Sequence, residues 1–406
     1  MKNVQSERVP LKLAISLGVI GALCPSAVDM YLSSLPEIAR DYDASFASVQ
    51  LTLTFFLLAM GAGQLLFGPF VDAYGRRRPL LIGLALFILC SLGSAWAPTL
   101  QILVGFRFVQ GLGSALTLVV IMSMVRDVSH GATATKLFAL LMTISGLAPI
   151  LAPALGGFID AYFGWRAIMA TLAILGIAAL CNSWFNLPET LSVDKRDPLH
   201  LVAACRTYMA IGMDRRFLLP TLSIAAVFFF LFTYVGGATL VYQETYGLTV
   251  QSFGTLFGLT GCAILFGAML AARLITLLGL NRLTWMGVGC MIIGAVITLA
   301  AATTQLGLPG IAAGMAIALF GLGIAESTLT SLVMSSQKRA LGSTAALLGA
   351  IQLSISSAAM PISAIVLRHG PIAWTGLLTC STLLVCILTW ISLPKGSDTA
   401  FGLADH

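Results

Sequence analysis

From Leu283 to Thr303 not one residue is charged, and uninterrupted apolar stretches of this kind recur along the whole chain. A run of ~20 such residues is long enough to cross a bilayer as an α-helix. The stretches carry no period-two alternation, which excludes a transmembrane barrel and leaves helices. Only 9% of the residues are charged and 58% are hydrophobic, whereas a soluble domain carries roughly 25% charge. The chain is therefore expected to be an all-α integral membrane protein.

About twelve spans can be placed by their breaks. The first set runs Val9 to Leu32, Phe46 to Gly68, Pro79 to Trp96, Leu100 to Val125, Leu137 to Asp160 and Arg166 to Leu187. The second runs Phe217 to Tyr242, Phe253 to Leu274, Leu283 to Thr303, Pro309 to Ser335, Gly342 to Leu367 and Trp374 to Leu393. Between them lies the longest polar stretch, Pro188 to Arg216, which reads as a linker. Residues 1–187 and 217–406 thus form two halves of six helices, the organisation expected of paired bundles built from inverted three-helix repeats around a central cavity.

Lysine and arginine gather on one side of these spans, from Lys2 and Arg8 through Arg76 to Arg78, Arg126, Arg215 and Arg216 to Lys395, with Arg40, Arg166 and Arg368 on the other. The positive-inside rule then puts both termini in the cytoplasm. This bias accounts for a pI near 9.0 without any nucleic-acid partner. The first apolar segment is too long for a cleavable signal peptide and lacks its small-residue cleavage site, so it is expected to remain as a helix. Eight cysteines and four histidines show neither a disulfide framework nor a metal-ligand spacing. No nucleotide-binding Gly-x-x-x-x-Gly-Lys-Ser/Thr sequence is present, so no cofactor is implied.

Three motifs stand out against this apolar background. The turn from Gly68 to Pro79 reads as a helix ended by glycine and proline, followed by Asp72, Gly75 and the arginines Arg76 to Arg78. Asp72 is expected near the start of the next helix, whose N-terminal dipole favours an anion. The fourth span carries Arg107-Phe-Val-Gln110-Gly111-Leu-Gly113. The fifth carries Pro149, Pro153, Gly156 and Gly157, which remove backbone donors and side-chain bulk from one helix.

These three motifs resemble those of the major facilitator superfamily: its loop signature at Gly68 to Leu80, its intramembrane arginine motif at Arg107, and its antiporter signature at Ala148 to Gly157. The loop departs from the family pattern at Phe70 and Ala73, and the antiporter helix at Ala152. Asp29 to Pro36, Val125-Arg126-Asp127, Leu187-Pro188-Glu189-Thr190 and Gly342 to Gly349 resemble the bicyclomycin and chloramphenicol resistance subgroup of drug/proton antiporters. By that resemblance, Asp72, Arg76 and Asp127 form a charge cluster that latches the halves in the outward-facing state, and the signature at Ala148 to Gly157 is that of proton-driven exporters. Mechanically, a helix bent by proline with a smooth glycine face can rock against its partner and limit proton leak in one state.

Asp29 lies late in an otherwise apolar span, where an aspartate near the helix centre costs about 2.5–3.5 kcal/mol to insert. Either it faces water or binds a proton, both of which suit a proton carrier, or it reaches the outer interface with Tyr31 as an anchor and Pro36 closing the helix. Arg107 needs an acid, a cavity or carbonyls at its depth, and either tunes Asp29 or snorkels to the interface. Glu326 is the acid set deep in the second half, as a second proton site or a locally hydrogen-bonded one. Substrate-cavity candidates are Tyr31, Asn182, Phe230, Tyr234, Gln352 and Met360, aromatic, amide and methionine side chains that adapt to apolar ligands.

The expected activity is proton-coupled efflux of small amphipathic drugs by alternating access across a bacterial inner membrane. The runner-up is export of an endogenous metabolite such as a siderophore, sugar or nucleobase. The partners implied are a small-molecule substrate, protons and the bilayer; the proton gradient supplies the energy, and a monomer suffices. Without clustered histidines or acids, an enzyme is not indicated.

Overall fold

The computed structural model describes residues 11–128, 131–196, 198–304, 306–337 and 340–393, with no strand among them. Among the described residues, twelve helical segments are long and apolar enough to cross a membrane, as the apolar runs require. The chain divides into two compact units, residues 1–205 and 206–406, the division falling inside the polar stretch between the two sets of spans.

The first unit contains α1 (Leu11–Asp29), α2 (Leu35–Asp41), α3 (Phe46–Tyr74), α4 (Arg77–Ala95), α5 (Leu100–Val128), α6 (Gly131–Phe163) and α7 (Trp165–Asn186). Here α3 and α4 both pack along α5, α1 along α6, and α4 along α7. The short helix α8 (Leu201–Gly212) straddles the division. The second unit contains α9 (Arg215–Leu240), α10 (Val250–Leu278), α11 (Leu280–Thr303), α12 (Gly307–Ser335), α13 (Leu341–Ser357), α14 (Ala359–Leu367) and α15 (Pro371–Ser392). The pairing repeats: α10 and α11 pack along α12, α9 along α13 and α14, and α11 along α15.

The same local chemistry marks equivalent helix ends in both units. Ser45 caps α3 by accepting from the Ser48 N–H at 3.2 Å, and Thr249 caps α10 by accepting from the Ser252 N–H at 3.2 Å. Gly75 and Gly279 follow α3 and α10 at φ +87° and +75°, a backbone region that favours glycine. These repeats show that the two six-span halves are built alike.

Among the boundaries that differ from the sequence expectation, three concern helix breaks. Helix α3 does not stop at Gly68 and Pro69 but continues to Tyr74, because a membrane helix tolerates proline where neighbouring helices make good its lost hydrogen bond. Pro36 does not close the first helix; it lies in the first turn of α2, where its missing N–H costs nothing. The first span therefore runs on to Asp41 through a 3-10 turn at Leu32–Ser34. The eleventh span is broken into α13 and α14 at Ala358.

Candidate functional site

Arg107 sits on α5 with no exposed surface, so it does not snorkel. Two small residues bring it there: a Cβ at Gly111 would meet the Phe56 carbonyl of α3, and one at Gly113 would meet the Gly83 carbonyl of α4. Its Nη1 donates to Gln110 Oε1 at 2.7 Å, and its Nη2 donates to the Ala27 carbonyl at 2.9 Å. Gln110 Nε2 in turn donates to Ser91 Oγ at 2.7 Å. The guanidinium lies over the rings of Tyr31 and Phe56, 4.8 and 4.5 Å from their centroids. Every one of these partners is neutral, and the Nε–H has none. The positive charge is thus dressed by a carbonyl, an amide and two π faces and left uncancelled.

Two residues beyond that carbonyl, α1 ends at Asp29. Asp29 is partly buried and makes no hydrogen bond or ion pair among the described residues, including any to Arg107. The candidate span that holds it continues past it to Asp41. The antiporter helix supplies the adjoining wall: a Cβ at Gly156 would strike the backbone of Met30, so only glycine lets α6 approach α1 here. Pro153, Gly156 and Gly157 are buried and Pro149 is partly so.

At the other end of α3, Arg76 is the hub of a fully paired cluster. Its Nη1 donates to Asp72 Oδ1 at 2.7 Å and to the Val71 carbonyl at 2.8 Å, and its Nε donates to Asp127 Oδ2 at 2.8 Å. Burial works against the guanidinium charge, but Asp127 and Asp72 hold its pKa above the ordinary arginine value. All of these partners belong to the first unit, and Gly68 lies two turns back on α3.

Asp72 occupies the last turn of α3, and the anion that serves the start of α4 is a different one, Glu189. It accepts from the N–H groups of Arg76 and Arg77 at 2.8 and 3.2 Å. Thr190 adds a hydroxyl to Asp127 Oδ2 at 2.9 Å. The sequence carried Glu189 and Thr190 only as part of a family resemblance. The signal that could have found them is an acid and a hydroxyl just after the last helix of the half, at the level of exposed helix N–H groups. A Cβ at Gly75 would crowd the Glu189 carboxylate.

In the second unit Glu326 is partly buried on α12, and it too has no hydrogen bond or ion pair among the described residues. Gly323 and Gly321 hold α12 tightly against α10 and α11 around it. Of the substrate candidates, Tyr31, Phe230 and Met360 have no exposed surface and Tyr234 has 1%. Tyr234 stacks on Phe257, centroids 5.2 Å apart, within a nest of packed aromatics. Asn182 accepts from Ser16 Oγ and Asn186 Nδ2 at 3.2 and 2.9 Å, joining α1 to α7. Of the six, only Asn182 and Gln352 keep more than 1% accessible surface, and the other four are packed in this conformation.

Among the described residues, twelve candidate spans in two units of like packing, each holding an unpaired carboxyl, define a membrane transporter rather than an enzyme. The chain belongs to the Major Facilitator Superfamily, whose model matches residues 17–361. It is 37% identical to an uncharacterized transporter of this type, YdgK of Bacillus subtilis, over 87% of this chain and 88% of that one. It is 30% identical to the chloramphenicol resistance protein of Pseudomonas aeruginosa over 96% of this chain and 90% of that one, in keeping with the drug-efflux subgroup. A crystal structure of a D-xylose-proton symporter has the same fold, with a TM-score of 0.72 at 18% identity over 95% of this chain and 98% of that one.

Proposed function

We propose that this chain is a proton-coupled antiporter that exports small amphipathic drugs by alternating access. It would do so from a bacterial inner membrane, with both termini in the cytoplasm and no second subunit. The observation that carries this reading is Asp29: a carboxyl inside a span, without a cation, at the end of α1 and against the glycine face of α6. A carboxylate in that place is opposed by the helix dipole and by the apolar surroundings, so it gains most by binding a proton. Binding or release changes the charge just where α1, the 3-10 turn and α6 meet.

Arg107 is the positioning residue for this step, since it grips the Ala27 carbonyl two residues upstream and keeps a fixed positive field nearby. Glu326 is the candidate for a second proton. The Arg76 cluster, with Asp72 and Asp127, is the gate that steadies one state. A drug-resistance relative supports a drug as cargo.

The test is drug-dependent proton release from energised membrane vesicles, together with a susceptibility panel in an exporter-deficient strain with and without an uncoupler. Resistance that collapses with the uncoupler, and proton release lost in Asp29→Asn at unchanged protein level, are expected. Undiminished coupling in Asp29→Asn sinks the assignment.

A further inference from the structure

The end of the first unit opposite the Arg76 cluster holds two acids that neither the motifs nor the proposed coupling step use. Asp160 lies in the last turn of α6 and Glu37 in α2. Asp160 is only 5% exposed, yet neither of its carboxylate oxygens has a well-formed hydrogen bond. The Glu37 carboxyl lies 3.6 Å from where a Cβ of Gly164 would stand, and the Gly164 N–H donates to the Asp160 carbonyl at 2.8 Å, so the turn from α6 into α7 brings the two acids together, close enough to act on each other. Ser34, fully buried in the 3-10 turn, turns its hydroxyl to Asp160 and has no other partner.

The charges around this pair do not neutralise it. Arg40 on α2 acts on both acids from a distance and is exposed, while Asp41 adds a further negative charge. Arg166 on α7, the other nearby cation, is committed to Asp41 at 2.7 Å. The last turn of α6 also presents the negative end of a helix dipole to Asp160. Two apposed carboxylates, one of them buried, cannot both stay ionised without a cation between them.

We propose that Glu37 and Asp160 form a proton-binding site, one proton shared between the two carboxyl groups with the Ser34 hydroxyl turned toward Asp160. The proton belongs to the pair rather than to either residue. Asp160 is one helical turn beyond Gly156 on the same face of α6, so the shared proton fastens α6 to the chain leaving Asp29. Losing it sets two like charges against each other and loosens that joint. The site stands on its own geometry, whether or not export is proton-driven.

The experiment is infrared difference spectroscopy of the purified full chain in lipid nanodiscs, acid against alkaline, without drug or gradient. It is run on an Asp29→Asn background to remove that carboxyl. The background protein is expected to show a protonated-carboxyl band at neutral pH. Glu37→Gln and Asp160→Asn should each lose one carboxyl's absorbance, because the remaining carboxylate then accepts from an amide. A band unchanged in both variants overturns the proposal, as does a band that sodium removes at constant pH, which would make this a cation site. Glu37, the less buried partner, decides the question if Asp160→Asn does not fold. Because no transport is read, failure here leaves the coupling role of Asp29 untouched, and failure there leaves this pair standing.

Discussion

Arg76 and Asp29 are both charged groups withdrawn from water in the first unit, and their surroundings are opposite. Arg76 has Asp72, Asp127 and a backbone carbonyl on its guanidinium. Asp29 has no hydrogen bond or ion pair among the described residues, although Arg107 lies on the neighbouring helix and could have been placed to pair with it. A paired charge is held in one state, and breaking it leaves a partner stranded. An unpaired carboxyl is cheap to neutralise with a proton and gains little from staying put. The first arrangement builds a joint, while the second builds a group whose charge can change during a cycle.

Substitutions at the two places should therefore fail in different ways. The largest functional effect is expected at Asp29. Asn at this position removes a charge that nothing balances, so folding should be untouched while drug-driven proton release in vesicles falls to background. Arg76→Ala should do the reverse and act on stability, since it strands Asp127 and Asp72 beside each other. Removing one partner of a fully buried pair costs about 3–5 kcal/mol; with Asp127 18% and Asp72 48% exposed the loss falls below that range, and it is read as a lowered thermal midpoint in detergent. If Asp29→Asn were the more destabilising of the two, the contrast would be lost.

Gly156→Val tests the wall beside Asp29. Added bulk would meet the Met30 backbone, which cannot move aside as a flexible side chain can. Overpacking of this kind costs about 1–3 kcal/mol, and transport should fall with it. At Gly376, where a Cβ would meet nothing within 4 Å, Ala should be harmless. Glu189→Gln keeps an acceptor for the Arg76 and Arg77 N–H groups but removes the charge from the helix end, a loss of about 0.3–1 kcal/mol. A drop as large as that of Arg76→Ala would make Glu189, not Arg76, the hub of the cluster.

How much of this was written in the sequence follows from which forces act locally. Twelve apolar runs could be counted because bilayer thickness fixes their length, and the Arg107 motif could be placed because a buried arginine is conspicuous. Gly68 with Pro69 and Pro36 misled for one reason: as local signals they mark helix breaks, but membrane packing overrode the first and position within the turn reversed the second. Glu189 and the Glu37–Asp160 pair were not found, because each depends on residues far apart in the chain that meet only through tertiary packing. Tyr31, Phe230, Tyr234 and Met360 were chosen by residue type, which cannot tell a cavity wall from a packed core.

The smallest effect is expected where a charge pair faces water. Arg166 Nη1 donates to Asp41 Oδ2 at 2.7 Å, and Trp165 Nε1 donates to the same oxygen at 2.9 Å, so the geometry is as good as that of Arg76. The side chains are 49% and 36% exposed, however, against 7% and 18% for Arg76 and Asp127, the partner that carries the buried part of that cluster, Asp72 being 48% exposed. Water competes for both groups, and exposed pairs of this kind are worth roughly 0.2–1 kcal/mol. Arg166→Ala should therefore shift the thermal midpoint far less than Arg76→Ala, and the shift should shrink further in high salt. A loss that matched Arg76→Ala would mean that hydrogen-bond geometry, and not removal from water, sets the strength of these joints.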